Sequence, residues 1–199
     1  MRVRNATEEL IKRMNCSQAF LDGNNIVLIN SSHVLAVQTN YFSIKNYLGG
    51  VKMRPMSESP TISLEKKFKQ GAVEINIWAD EFKNLLKAIN TIGADQIIFV
   101  VKNNQLRISS SYLDTKVEKI INWVRGNLKS KYNIQFLLDV MPIFKDTQIL
   151  ISLREDYPIK LDNSVYKVYL APLVDNDINT EENIKLNLIE NLCGAWIVN

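Results

Sequence analysis

A single imidazole limits the chemistry open to this chain. His33 is the only histidine among 199 residues, so a metal site or a general base there would have to recruit other residue types as partners. It lies in INSSHVLAVQ, residues 29–38, on a polar step between two apolar runs. That setting reads as a packing or hydrogen-bonding residue at a strand junction. Cys16 and Cys193 sit near opposite ends of the chain with no CxxC or CxxH spacing, which points to neither a zinc site nor a disulfide framework. Asp175, Asp177, Glu181 and Glu182 form the densest acidic group, and a charge run of this kind reads as a solvated spacer. The sequence has no GxGxxG or GxxxxGK[ST] loop to cradle phosphates, no HExxH and no GxSxG. The residues therefore supply no catalytic constellation, no metal site and no cofactor site, and the expected class is a non-enzyme.

Composition agrees with a globular chain. Hydrophobic residues make up 46% and charged residues 23%, enough of each to build a core and solvate its surface. No apolar run approaches the roughly 20 residues that span a bilayer, so no membrane partner is expected. The opening MRVRNATEELIKRM places charges where a signal peptide needs its apolar centre, and an intracellular location is the expectation. A net charge of +3 permits nucleic-acid binding without establishing it; the deciding point is whether the charge gathers on one face.

Three stretches share one pattern. The first reads as a helix over 5–14, capped by Asn5 or Thr7, with Ala6, Leu10 and Met14 on one face; a turn and two strands follow through residue 42. The second opens with AVEINIWA, where Val73, Ile75 and Ile77 alternate with polar residues as in a half-buried strand. Asp80 is the expected cap of a helix carrying Phe82, Leu85, Leu86 and Ile89, with Gly93 as its stop. The strands DQIIFVV, NQLRISSS and TKVEKIINWV follow, the first pair turning at Asn103-Asn104. The third stretch has NLKSKYN as strand or lead-in, then a helix in IQFLLDVMPIFKD kinked or ended by Pro142. Two closing stretches, TQILISL and YPIKLDNSVYKVYLAP, complete it, the latter broken at Asp162-Asn163. Strand, helix and meander thus recur at a period of about 50 to 60 residues. With too few helices to cover both faces of a parallel sheet, the fold class is α+β. The Gly- and Pro-bearing stretch 51–71 reads as a loop or linker.

These residues resemble the sliding clamps of the proliferating cell nuclear antigen type. The resemblance is carried by DGNNIVLINSSHVLAVQTNYFSIKNY with its Ser-Ser-His-Val step after Ile29, by DEFKNLLKAINTIGADQIIFVVKNNQLRISSS, and by DTQILISLREDYPIKLDNSVYKVYLAPLVDN with Pro158 and Tyr169-Leu170-Ala171-Pro172. They cover most of residues 17–50 and 72–176. The resemblance implies a DNA-clamp fold with three recognisable units in place of the family's four. It divides the chain into a truncated N-terminal half-domain over 1–50, a loop over 51–71 standing in for the missing unit and the interdomain connector, a C-terminal clamp domain over 72–176, and an apolar tail over 177–199. It also implies a client-peptide groove at Ile29, His33, Pro158, Tyr169, Ala171 and Pro172. The alternative for these residues, above all the two prolines, is plain core and strand-end packing. Tyr169 suits a binding surface better, having an apolar body and a polar tip.

In the family the helices line a hole and meet phosphates without sequence preference. The residues expected to face DNA here are Lys12, Arg13, Lys83 and Lys87, with Lys145 ending the poorer third helix. Lys66, Lys67 and Lys69 in the loop read as an ordinary solubilising face. The strand that closes the ring belongs to the missing unit. Its receiver, Thr115 to Val124, would therefore be an open edge presenting Val117, Ile120, Ile121 and Trp123. Another copy, a full-length clamp subunit or the chain's own tail (Leu186, Leu188, Ile189, Leu192, Trp196, Ile197, Val198) could cover it; a last helix on the protein's own core is the other reading of that tail. The implied partners are duplex DNA and a DNA polymerase or other clients with short hydrophobic motifs, at the site of DNA replication, in nucleus or cytoplasm according to source. Two functions remain open: a divergent clamp or polymerase processivity factor, and a clamp-derived interaction or regulatory protein that no longer encircles DNA.

Overall fold

A computed structural model describes residues 13, 16, 18–22, 25–30, 33–37, 47–48, 51–55, 65–69 and 71–173. Apart from Arg13, the helix expected over 5–14 lies outside the described residues, as do the acidic cluster and the tail. The described chain is α+β and rich in sheet. Five strands come first: β1 (Gln18–Asp22), β2 (Asn25–Asn30), β3 (His33–Val37), β4 (Tyr47–Leu48) and β5 (Val51–Pro55). They form one sheet in the order β3-β2-β1-β5-β4, antiparallel except for β1 beside β5. Strand β5 corrects the expected loop at the start of 51–71. Its first residue, Val51, pairs with Leu48 of β4, antiparallel.

Two copies of one unit follow. The first comprises β6 (Val73–Trp78), α1 (Ala79–Thr91), β7 (Gln96–Lys102), β8 (Gln105–Tyr112) and β9 (Thr115–Asn122). The second comprises β10 (Leu128–Asn133), α2 (Ile134–Val140), a 3-10 turn (Met141–Phe144), β11 (Gln148–Leu153), β12 (Ile159–Asp162) and β13 (Lys167–Leu170). The units exchange their first strands. The sheet of the first unit has the order β10-β7-β8-β9, and that of the second β13-β12-β11-β6. Ser130 of β10 lies opposite Phe99 of β7, and Ile75 of β6 opposite Ile151 of β11. Strand β3 runs alongside β13 and brings the first sheet up to the second unit.

Local sequence explains the element boundaries. In β6 the buried Val73, Ile75 and Ile77 alternate with exposed Glu74, Asn76 and Trp78, as the two-residue period of a strand requires. Asn103 and Asn104 have φ of 54° and 59°, the left-handed pair that a two-residue hairpin needs and that asparagine tolerates. Helix α1 starts one residue before the expected cap. Trp78 holds the cap position without a side-chain bond, and Asp80 lies with Glu81 in the first turn. There both carboxylates face the positive end of the helix dipole. Gly93, at φ +84°, donates its N–H to the Asn90 carbonyl and ends the helix. In α2 the Asn133 side chain accepts the Phe136 N–H at 3.3 Å. The α-helix ends at Val140, before Pro142 turns the chain into the 3-10 segment. The break at Asp162-Asn163 is a side-chain turn: Asp162 accepts the Ser164 N–H, and Asn163 those of Val165 and Tyr166.

The helices pack on each other, α1 also against β6, β8 and β9 and α2 against β10 and β13. Phe82, Phe99 and Tyr132 run through the core as successive ring contacts at 6.4 and 5.7 Å between centroids. Gly126 lets the chain pass from β9 into β10. Its φ is +133°, and a Cβ there would lie 2.6 Å from Val73 Cγ2 of β6. Gly126→Ala is therefore expected to cost about 2 kcal/mol or more, from left-handed strain together with displacement of β6. Urea unfolding of the variant against the parent measures this, and an unchanged midpoint would remove the argument.

Candidate functional site: the surface around Tyr169

Strand β13 ends in Tyr169-Leu170, followed by Ala171 and Pro172. Tyr169 is 1% exposed, Pro158 and Pro172 are buried and Ala171 is half-buried. Ile29 lies in β2, and His33 opens β3 opposite Asn30; their side chains are outside the description. Strand β3 lies alongside β13.

The resemblance assigns the cover of this groove to the loop over 51–71 that stands in for the interdomain connector, without singling out the residues that lie on Tyr169. A helical turn at 65–68, inside the predicted loop, places Glu65 and Phe68 on it. The Tyr169 hydroxyl donates to Glu65 Oε1 at 2.5 Å, and Lys167 Nζ donates to the same oxygen at 3.2 Å. Lys160, almost wholly buried, has its Nζ 3.6 Å from the other carboxylate oxygen of Glu65 and 3.9 Å from Asp162. The Phe68 ring is 4% exposed. It meets Tyr157 edge-on at 5.3 Å and Tyr169 at 5.9 Å, with Lys160 Nζ 5.4 Å from its centroid. Arg154 donates to the Lys67 carbonyl and lies over Tyr157, as does Lys67 from the other element. Lys66 and Lys69 are exposed as expected, while Lys67 is half-buried on the tyrosine. The legible signal was an acid and an aromatic three residues apart in LEKKF, which a helical turn puts on one side.

Strand β10 positions the wall of this pocket. Ser130 Oγ donates to the Arg154 carbonyl at 2.9 Å, the Tyr132 hydroxyl to the Tyr157 carbonyl at 2.9 Å, and the Leu173 N–H to the Lys131 carbonyl at 2.7 Å. The loop between β11 and β12 and the end of β13 are thus both tied to a strand that belongs to the other unit's sheet.

Electrostatics inside the pocket depend on Glu65. Burial would raise its carboxyl, but the Tyr169 hydroxyl and the ammonium groups of Lys160 and Lys167 outweigh that and hold it below the usual carboxylate range. Burial and the adjacent Glu65 carboxylate push the Tyr169 hydroxyl upward, so it remains a protonated donor. Cys16, pushed up to about 12 by burial, stays a thiol and behaves as a core residue.

The residues expected to face DNA are spread more thinly. On α1, Lys87 is exposed and Lys83 half-buried, on the side away from Glu81, which pairs with Lys119 of β9 at 2.5 Å. Helix α2 presents Gln135 and Asp139, bonded to each other, and no basic residue. Lys145 is exposed and 3.7 Å from Asp146. Arg13 is exposed, and Lys12 lies outside the described residues. On β9, which among the described residues pairs only with β8, Val117 and Ile121 pack against the core. Ile120 is 46% and Trp123 90% exposed. Among the described residues no group of three His, Cys, Asp or Glu side chains could hold a metal, and no helix is long and apolar enough to cross a membrane.

Two outcomes follow from the pocket. Tyr169→Phe keeps the ring and removes the donor to Glu65, which is expected to cost about 1–2 kcal/mol in urea unfolding at pH 7. Because the folded pKa of Glu65 is depressed, its contribution is complete above the unfolded carboxylate value and is lost as pH falls through the folded one. Glu65→Gln should therefore be less stable than the parent at neutral pH, with a gap that narrows in acid. A gap that stays constant with pH would contradict this account. Lys67, Lys160, Lys167, Asp162 and Arg154 are the other charged groups facing this region, and each is unchanged in the variant.

No family model and no curated protein matches the chain. Among solved structures the chain is similar to proliferating cellular nuclear antigen from Entamoeba histolytica, at 15% identity and a TM-score of 0.46, covering 77% of this chain and 66% of that one. It is similar to the A. fulgidus PCNA bound to the C-terminal region of FEN-1, at 18% identity and a TM-score of 0.47, covering 79% and 63%. It is also similar to DNA polymerase III subunit beta from Borrelia burgdorferi, at 14% identity and a TM-score of 0.44, covering 76% and 41%. The chain spans from 41% to 66% of the length of these three structures.

Proposed function

We propose that this chain is a non-catalytic scaffold of the sliding-clamp type, a processivity factor that touches duplex DNA through its helices and holds client proteins beside Tyr169. The observation that carries the reading is the paired unit over 72–173. Its two helices lie together against sheets that have exchanged their first strands, an arrangement that agrees with the motifs in the sequence. Clients with short hydrophobic motifs would dock where Tyr157, Pro158, Tyr169 and Pro172 meet. The edge strand β9 would receive a strand from a second copy or from a full-length clamp subunit, main chain to main chain.

The charge on the helices sets the strength of any DNA contact. Lys83, Lys87 and Lys145 amount to two or three phosphate contacts, with the acidic Asp80 and Asp139 on the same two helices. Counterion release then gives a slope of log K against log salt of about −2 to −3, the mark of a loose contact. A second reading, a clamp-derived interaction protein indifferent to DNA, draws on this same sparseness and on the exposure of Ile120 and Trp123.

Fluorescence anisotropy with a labelled duplex at low and high salt, together with light-scattering mass, separates the two. The first reading expects weak binding that salt abolishes, with the double variant Lys83→Glu, Lys87→Glu losing it and flattening the slope by about 2. Absence of binding at low salt overturns that reading and leaves the second. Under either reading, Ile120→Asp should shift any oligomer toward monomer while leaving its melting temperature almost unchanged. Persistence of the oligomer would clear β9 of that role.

A further inference from the structure

The pocket around Tyr169 is already filled by this chain. We propose that residues 65–69 are an intramolecular occupant of the client groove: an acid and an aromatic, three positions apart on one helical turn, that a client motif must displace. The inference rests on the client-groove reading above and adds how access to that groove is controlled.

Three observations carry it. First, the occupant is a single turn, closed by Lys69 N–H on the Glu65 carbonyl at 3.2 Å, and a helix of that length has no stability in water by itself. Its shape is supplied by the pocket. Second, its anchors are the side chains of Glu65, Lys67 and Phe68 and two main-chain acceptors, the Lys67 carbonyl that receives Arg154 and the Phe68 carbonyl that receives the Ala72 N–H. It adds no strand to β12 or β13. Third, the pocket is built to survive opening. A permanent plug would be expected on an apolar floor, yet this floor carries Lys160, Lys167, Arg154 and the Tyr169 hydroxyl. When the turn leaves, Asp162 remains 3.9 Å from both Lys160 and Lys167, and water can reach the rest. No buried charge is left alone, so opening avoids the penalty that usually locks an ion pair in place.

The chemistry of the turn also describes what would compete with it: a peptide presenting a carboxylate to Lys160, Lys167 and Tyr169 and an aromatic ring to Tyr157. A tethered occupant competes at an effective concentration in the millimolar range. If the turn as a free peptide binds the open groove with a Kd of about 100 μM, any competing motif is therefore weakened roughly tenfold in the closed protein.

The test uses the full chain, its Phe68→Ala variant and a fluorescein-labelled peptide with the chain's own sequence ISLEKKFKQ, residues 62–70. The variant is expected to bind the peptide at least tenfold more tightly than the parent, and a peptide lacking the phenylalanine should bind neither. Equal binding by parent and variant overturns the occlusion. If the variant binds other aromatic peptides from a displayed library but not its own segment, the groove reading stands and the occupant falls; if it binds none, both fall. Hydrogen exchange on the parent serves should Phe68→Ala fail to fold. The Lys69 and Ala72 amides, bonded to the Glu65 and Phe68 carbonyls, should exchange by local opening, well ahead of those in β12 and β13. Exchange at the same rate as those strands would make the turn ordinary core and end the proposal.

Discussion

Exchange of first strands between the two units is the constraint on which the rest of the molecule depends. Neither repeat has a complete four-stranded sheet without the other, because β6 pairs with β11 and β10 with β7. Main-chain hydrogen bonds in these ladders are obligatory once the strands are buried. Separating the units would expose two rows of them and uncover Val73, Ile75, Ile77, Leu128 and Tyr132 together. The aromatic relay from Phe82 through Phe99 to Tyr132 runs across this seam, from α1 through β7 into β10. The pair therefore acts as one body, with the helices held side by side as a consequence.

The same exchange builds the pocket. Strand β10 belongs to the sheet of the first unit, yet Ser130, Lys131 and Tyr132 hold the chain at Arg154, Leu173 and Tyr157 respectively. The floor comes from β12 and β13, and the cover from a turn far upstream in sequence. Glu65 is the junction of the polar part, taking Tyr169, Lys167 and Lys160 at once. Phe68 is the junction of the apolar part. Charge and ring sit three residues apart, so a single turn satisfies both, and each half holds the other in register. A pocket floored by lysines would repel the lysine-rich turn if Glu65 were missing; with it, Lys66 and Lys69 are left to solvent.

How much of this was legible follows the range of each interaction. Alternation in Val73–Trp78, the asparagine pair at 103–104, the proline at 142 and the Asp162-Asn163 turn are local signals, and the structure bears them out. The cap of α1 was misassigned because Asp80 is a strong cap type by composition, whereas the chain leaves β6 one residue earlier and needs no side-chain bond at Trp78. Strand β5 was hidden because Gly49 and Gly50, just before it in sequence, read equally as linker and as hairpin. The turn at 65–68 could not be seen from propensity: four residues nucleate nothing alone, and three neighbouring lysines look like a solvated run. Partner choice in the sheets was also invisible. An alternating pattern tells which face of β6 is buried but not that its neighbour lies in the other repeat. For the groove residues, the resemblance implied a cover from the loop over 51–71 but did not single out Glu65 and Phe68 as the side chains that reach Tyr169.

Strand exchange also shapes how the molecule is made. Ile75 waits for Ile151, which emerges from the ribosome after the whole of the first unit and half of the second. At roughly 5–20 residues per second, β6 spends several seconds or more without its ladder partner. Its inner face of Val73, Ile75 and Ile77 has α1 to pack on but not the ladder of β11. A nascent chain in that interval presents a β-rich apolar strand to its surroundings, and the sheet of the first unit lacks β10 until the same stretch of synthesis is under way. Folding of the pair is thus a late event in translation.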